Sequence, residues 1–374
     1  MGQYDERVHI ATFAVVGAGI VGASVAYHLA RQGASVTLID RAMAPAGGVT
    51  AHSFGWIGGA GGDWPGGAED LRGSVLTDYR RLEAEVPGVS VRWTGSLTWS
   101  DISVQHATGA RLTRGQCWIG SSKVAALEPN LQYLPERAVY TPGDGGVDAA
   151  RTTEALVDAA RTLGAQVVLG SGPASLKIVG GRVEGVLSSA GFYPASTVVL
   201  AAGTDVRVLC EPLGIDLPVA GSPAFLIRVA APPGLVRTIL ARPDFEVRES
   251  RDGHLLMTAP LDEGASASAL RQHALHALER VQLLFRGSSY LRLLGHGVAR
   301  CPMPLGGPIV GYLTPDRSAY VAVMHSALTF APTVGRLVAN ELVSGEPAAE
   351  LRHCRPQRLS TFGDKKEADA ENDR

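Results

Sequence analysis

The stretch Thr12–Asp40, TFAVVGAGIVGASVAYHLARQGASVTLID, decides the fold. Phe13 to Val16 is a short apolar run that reads as a buried strand. The loop Gly17-Ala18-Gly19-Ile20-Val21-Gly22 follows, and Val21 to Gln32 reads as a helix stopped by Gly33. Ser35 to Asp40 supplies a second strand and completes a βαβ unit. The glycines spell GxGxxG in the context that gives the pattern meaning, after a buried strand and at the opening of a helix. Gly17 permits a tight turn, Gly19 lets a pyrophosphate approach the main chain, and Gly22 lets helix and strand pack closely. A phosphate there meets free N–H groups and the positive end of the helix dipole, so Ile20 and Val21 join the candidate contacts. Asp40 stands 21 residues after Gly19, placed to accept hydrogen bonds from ribose hydroxyls. A glycine-rich turn without a ligand is the alternative; strand, helix, spacing and terminal acid together favour a dinucleotide.

The surrounding chain sets the frame. Its 374 residues exceed what one core usually supports, so two domains are expected. Apolar residues make up 45% and charged residues 19%, an ordinary balance for a packed globular protein. A formal charge of −2 gives no electrostatic reason for a nucleic-acid or anionic-membrane partner. Cys117, Cys210, Cys301 and Cys354 are far apart and form no CxxC pair, so no metal site is expected. The start, MGQYDERVHI, is polar and carries no signal-peptide core, and no apolar run reaches bilayer length. A cytoplasmic enzyme is the expectation, and assembly into a homo-oligomer is compatible with the sequence.

Further along, Gly47 to Gly67 is rich in glycine with Trp56 and Trp64 interleaved, which suggests main chain packed on something flat. Leu71 to Val86 reads as one helix, Trp93 to Trp99 as strand, and the chain then looks irregular until Val139. A helix is expected over Glu154–Leu163 with Thr152 or Thr153 as N-cap. Strands are read at Gln166–Gly170, Arg182–Ser188 and Thr197–Ala201, and shorter ones of a different sheet at Phe225–Val229, Asp244–Glu249 and His254–Thr258. Ser266 to Phe285 is an amphipathic helix, Arg300 to Gly311 a loop rich in proline and glycine, Ala319 to Met324 a strand, and Thr333 to Val343 the last helix. The tail 360–374 is charged and expected to be disordered. Ala201-Ala202-Gly203 closes a buried strand with small residues, where main chain must pass close to a ligand.

With these segments in order, the chain resembles the D-amino acid oxidase, glycine oxidase and sarcosine oxidase family of flavoproteins. The resemblance is carried by VVGAGIVGASVAYHLARQGASVTLIDR (Val15–Arg41), GVTAHSFGWIGG, LEPNL, GGVDAARTTEALVDAARTLGAQV, VVLAAGT, RCPMPLGGPIVG and YVAVMHSALTFAPTVGRLVANEL. It implies FAD as cofactor and an α/β fold: a Rossmann-like FAD-binding domain, a mixed sheet with helices, interrupted by an α+β substrate domain with an antiparallel sheet. The implied division is 10–86, 145–218 and 297–359 for FAD, and 87–144 and 219–296 for substrate. It also implies that Asp40 binds the adenosine ribose, that Arg41 lies by the adenine, and that Thr50, Ala51, His52 and Ser53 line the pyrophosphate and flavin. Ala327, Leu328 and Thr329 fall in the family's flavin-facing loop before the last helix.

Hydride transfer to a flavin needs no protein nucleophile; the protein orients the substrate carbon and stabilises charge on the reduced ring. By resemblance, Arg300 clamps a substrate carboxylate, a task suited to a bidentate guanidinium; an ordinary surface arginine is the alternative, and Arg248 the fallback clamp. His325 is a candidate for a bond to flavin or substrate, or a packed histidine. His52 matches the covalently flavinylated histidine of dimethylglycine dehydrogenases, where an ordinary contact is the favoured reading; Cys301 is a weaker candidate for the same link. Three departures stand out: Leu305 replaces an aspartate, Ala327 replaces a glycine, and no lysine lies between Lys177 and Lys365 to activate oxygen as in sarcosine oxidases. The expected activity is oxidation of the C–N bond of a small amino acid or secondary amine, with oxygen or another acceptor taking the electrons. An NAD-dependent dehydrogenase and a flavin-binding assembly partner without turnover are the alternatives.

Overall fold

The computed structural model describes residues 11–60, 64–99 and 112–359; the charged tail lies outside them. Strand β1 (Thr12–Val16) sends Phe13 and Val15 into one core and Ala14 and Val16 into another. Both faces are covered, which is why the run is continuously apolar rather than alternating. Helix α1 (Ile20–Arg31) is buried from Ile20 through Ala30. β2 (Ser35–Ile39) pairs parallel to β1. β3 (Trp56–Ile57) is followed by α2 (Ala68–Arg72) and α3 (Val75–Glu85). The single helix expected over Leu71–Val86 is therefore two, parted at Gly73-Ser74, where glycine contributes least to helix stability.

β4 (Ser96–Thr98) lies within the strand read at Trp93–Trp99, and β5 (Cys117–Gly120), α4 (Ser121–Leu127) and the start of β6 (Arg137–Thr141) occupy described parts of the stretch that reads as irregular. These elements are too short for periodicity to show. β7 (Gly145–Gly146) pairs with β3, and α5 (Ala149–Thr162) and β8 (Gln166–Val168) follow. The α5 cap is Asp148, not Thr152 or Thr153: its carboxylate accepts the Arg151 N–H at 3.1 Å. Thr153 lies inside the helix and donates its hydroxyl to the Ala149 carbonyl at 2.7 Å. β9 (Ser175–Val179), β10 (Arg182–Ser188) and β11 (Gly191–Pro194) form a small antiparallel sheet, and β12 (Thr197–Leu200) and α6 (Val206–Cys210) follow it.

β13 (Val219–Ala230), β14 (Ile239–Ala241), β15 (Glu246–Glu249), β16 (Leu255–Thr258), α7 (Ala267–Leu284) and β17 (Arg292–Pro304) come next. β18 (Ile309–Tyr312), β19 (Ala319–Val323) and α8 (Ala327–Ser344) follow, before two 3-10 turns at Ala349–Cys354 and Pro356–Leu359. The expected loop over Arg300–Gly311 is largely strand. Pro302 and Pro304 are tolerated because β17 is the edge of its sheet, where a missing N–H breaks no second ladder. α8 begins six residues before the expected Thr333, because Pro332 sits within it and mimics a start signal.

The main sheet has six strands in the order β18-β19-β12-β1-β2-β8, parallel except for β18. The α1, α5 and α8 side forms one core; the small sheet and α6 cover the other face. The second sheet has eight strands, β17-β13-β16-β15-β14-β4-β6-β5, antiparallel except where β14 meets β4, and packs its own core against α7. Together these are a Rossmann-type α/β unit and a second, substrate-type α+β unit. Among the described residues no helix is long and apolar enough to cross a membrane.

Candidate active site

The glycine loop is built by close approach. Gly17 has φ +109°, and a Cβ there would lie 2.5 Å from the Ala201 carbonyl oxygen. A Cβ on Gly22 would lie 1.8 Å from the Gly17 oxygen, and one on Gly19 would meet the Thr50 hydroxyl at 3.2 Å. The tips of β1 and β12 come together here, since Ala201 donates its N–H to the Val16 carbonyl. Ala201, Ala202 and Gly203 (φ +60°) therefore run beside the loop. Helix α1 has Gly19 as its N-cap, which offers no side chain, and no acidic residue in its first turn, so the positive end of its dipole favours an anion. Val21 lies in that first turn, and the Ile20 N–H reaches the buried Thr50 hydroxyl at 3.3 Å.

Asp40 leaves the end of β2 and braces this loop. Its carboxylate accepts the Ala18 N–H at 2.5 Å and the Ala42 N–H at 2.7 Å, each on a different oxygen. Lone pairs remain on both oxygens for a sugar hydroxyl. The neighbouring Arg41 is exposed and pairs with Asp205 at 2.8 Å, tying the end of β2 to the segment after β12. A helix start that favours an anion, glycines with no room for a side chain and a half-buried carboxylate beside them fit a dinucleotide.

Segment 49–53 forms a 3-10 turn that reaches the second sheet. The His52 ring lies where a Cβ on Gly297 of β17 would come within 2.6 Å of it, and its Nδ1 is buried without a hydrogen-bond partner. Ala51 lies within the turn, and Ser53 accepts the Gly55 N–H at 3.3 Å. His325 precedes α8, and its Nδ1 lies 3.4 Å from the Cys301 thiol of β17. Burial pushes the Cys301 thiol up to about 11 and holds the His325 imidazole below its ordinary value, so the pair is neutral near pH 7. Gly297 and Cys301 share one face of β17, which thus meets both histidines.

Arg300 is on the opposite face of that strand, with Val298 of the second core. Its Nη2 donates to the Gly221 carbonyl at 2.6 Å, Glu263 stands 3.6 Å away, and the side chain is 61% exposed. Arg248 is its inverse, 3% exposed, with Nε donating to Phe54 O at 2.7 Å and Nη2 to Val147 O at 2.6 Å. Burial lowers its pKa to about 10.

Ala327, Leu328 and Thr329 form the first turn of α8, entered from Ser326 at φ +55°. Thr329 donates to the Trp56 carbonyl at 3.1 Å. Pro332 has no N–H for the Leu328 carbonyl, its helical partner four residues back, and the buried Tyr79 hydroxyl donates to that oxygen instead. Sequence reasoning missed Tyr79, and also Asp144, which is 2% exposed. One Asp144 oxygen accepts from Trp56 Nε1 at 2.9 Å and Ser96 Oγ at 2.7 Å; the other is buried without a partner. Burial raises its pKa to about 6. Its glycine-rich turn, Pro142 to Gly146, was the only local signal.

Comparison with known proteins identifies the family. Over residues 12–341 the chain matches the family model DAO, "FAD dependent oxidoreductase". It is 26% identical over 359 residues to glycine oxidase of Pseudomonas aeruginosa, covering 89% of this chain and 95% of that one. It is 28% identical over 241 residues to 4-methylaminobutanoate oxidase (formaldehyde-forming) of Paenarthrobacter nicotinovorans, covering 61% of this chain but only 28% of that longer relative. Among solved structures, L-proline dehydrogenase from P. horikoshii superposes with a TM-score of 0.80 at 18% identity, covering 94% of this chain and 98% of that one. A glycine loop shaped to fit a dinucleotide, a second sheet reached by the His52 turn and a family match across nearly the whole described chain converge: the protein belongs to the DAO family of FAD-dependent oxidoreductases.

Proposed function

We propose that the chain oxidises the carbon–nitrogen bond of a small amino acid or secondary amine. FAD, when bound, supplies the acceptor for the hydride that leaves the carbon beside nitrogen. The observation that carries this reading is the single face of β17 on which Gly297 meets His52 and Cys301 meets His325. Gly297 and Ala299 keep that face free of bulk, which suits a small substrate. His52, through its unpartnered Nδ1, and His325 are the candidates to hydrogen-bond substrate or cofactor. The start of α8, with no acid in its first turn, favours negative charge developing nearby.

Arg300 holds the clamp's motif position, but its side chain leaves β17 on the face opposite His52 and His325; as clamp it reaches a substrate carboxylate only around the exposed strand edge, with one guanidinium nitrogen engaged by Gly221. The imine product hydrolyses in water, and oxygen or another acceptor takes the electrons. An NAD-dependent reading gains nothing from the FAD-dependent family. A flavin protein without turnover is favoured only by Leu305 and Ala327.

The test is anaerobic mixing of the purified yellow protein with amino acids and N-methyl amino acids. At least one should bleach the flavin absorbance. Arg300→Ala should weaken or slow that reaction by roughly 30- to 5,000-fold with FAD content unchanged, and Arg300→Lys should recover only part. Equal behaviour of wild type and Arg300→Ala would remove the clamp. Failure of every amine to bleach a fully loaded protein would leave the turnover-free reading.

A further inference from the structure

Away from the glycine loop, two adjoining clefts lie where the second sheet meets the start of α5. The larger opens to solvent and is lined by Arg92, Asp148, Arg151, Arg248 and Arg251 around Gly146. The smaller shares Arg92, Gly146 and Arg248 and adds Arg237 and Glu249. Five arginines thus face two carboxylates, and both carboxylates are engaged. Glu249 accepts from Arg92 at 3.1 Å and from the Gly234 N–H at 2.6 Å. Asp148 caps α5 and faces Arg151 Nε at 3.7 Å.

Arg248 is the residue this arrangement leaves incomplete. It is a buried guanidinium with no carboxylate within ion-pair distance among the described residues. Three of its N–H groups go to main-chain oxygens, those of Phe54, Val147 and Glu249. A guanidinium has five, so two N–H groups remain, and the side chain lines both clefts. Exposed Arg251 likewise has no ion pair among the described residues. Arg92 has spare donors beyond its bonds to Glu249 and to the Ser250 carbonyl at 2.6 Å. Buried arginine is ordinarily neutralised by an acid, and converging guanidinium forks match the geometry of an oxyanion.

We infer that this cleft binds a small oxyanion, a phosphate or carboxylate group, between Arg92, Arg151, Arg248 and Arg251. The site is separate from the glycine loop, yet Arg248 also holds the carbonyls of Phe54 and Val147. The first of these follows the His52 turn and the second adjoins β7. An anion drawn onto Arg248 therefore bears on the segment that carries His52.

The test is calorimetric titration of the flavin-loaded protein with inorganic phosphate and, separately, with malonate. At least one should bind saturably at a single site, and which one does so names the group as phosphoryl or carboxylate. Arg151→Ser and Arg251→Ser, both exposed positions that leave the core intact, should each weaken binding roughly tenfold. Arg271→Ser, exposed on α7, should not. Absence of saturable binding by either anion, or equal affinity in all three variants, overturns the site. Neither readout depends on amine turnover, so this proposal and the one above fail separately.

Discussion

The two junctions that meet at the site are made in opposite ways. At the glycine loop, main chain touches main chain: Gly17, Gly22 and Ala201 approach so closely that no side chain fits between them. At the junction of the two sheets, contact is made by isolated buried polar groups, with Arg248 pinning Phe54 and Val147 and Asp144 pinning Trp56 and Ser96. The first junction is governed by volume and should be indifferent to pH. The second is governed by charge and solvation and should respond to it.

The sharpest break of this contrast is Gly22→Ala. A methyl group 1.8 Å from the Gly17 oxygen forces the main chain apart, and a loss of about 4 kcal/mol is expected together with loss of FAD. Urea unfolding and flavin content measure it, and the loss should be equal at pH 5 and pH 8. A pH-dependent loss would mean that charge, not volume, limits this junction.

Asp144→Asn probes the other side. The folded carboxyl titrates at about 6 against an ordinary 3.8, so the folded state holds a proton that the unfolded chain has released. Wild-type stability therefore falls as pH rises between those values and stays lower above them, by about 3 kcal/mol for this group. The amide removes that slope. The variant should match or exceed wild type at pH 8, and its advantage should shrink towards pH 4. Identical slopes in both proteins would show that Asp144 is solvated.

The smallest effect lies between the two junctions, at α8. Tyr79→Phe leaves the Leu328 carbonyl buried without a donor and should cost about 1–2 kcal/mol. Pro332→Ala returns a main-chain N–H to that carbonyl, so in that background the same tyrosine change should cost less than about 0.5 kcal/mol. Additive losses would deny that the hydroxyl replaces the missing helical bond.

The same contrast explains what was legible in the sequence. The β1–α1–β2 unit is local: its glycines, apolar run and Asp40 lie within one short stretch and act on one another. Asp148 was readable in principle, but two threonines four and five residues later offered stronger-looking caps. The early start of α8 was hidden because Pro332 reads as a helix beginning, and the hydroxyl that offsets it comes from Tyr79, 249 residues before the Leu328 carbonyl it meets. Arg248 meets Phe54 across 194 residues and Asp144 meets Trp56 across 88. No spacing rule links such positions. Their roles arise from the pairing of strands whose register only the folded sheets define. The exposed setting of Arg300 was likewise invisible, since it follows from alternation along an edge strand whose ends a reading of loops had blurred.

The packing of α1 also carries a consequence for how the protein is made. Ser24 of α1 donates to the Ala331 carbonyl, and the absence of a side chain at Gly335 lets α8 lie directly on it. The covering helix comes 307 residues later in synthesis. At typical elongation rates of about 5–20 residues per second, the growing chain carries the bare apolar side of α1 for roughly 15 to 60 s. The helix that leaves the ribosome among the first is thus among the last to be covered. Nascent chains that end before Ala327 are expected to depend on chaperones and to aggregate when released, while chains that extend through Ser344 are able to close the core.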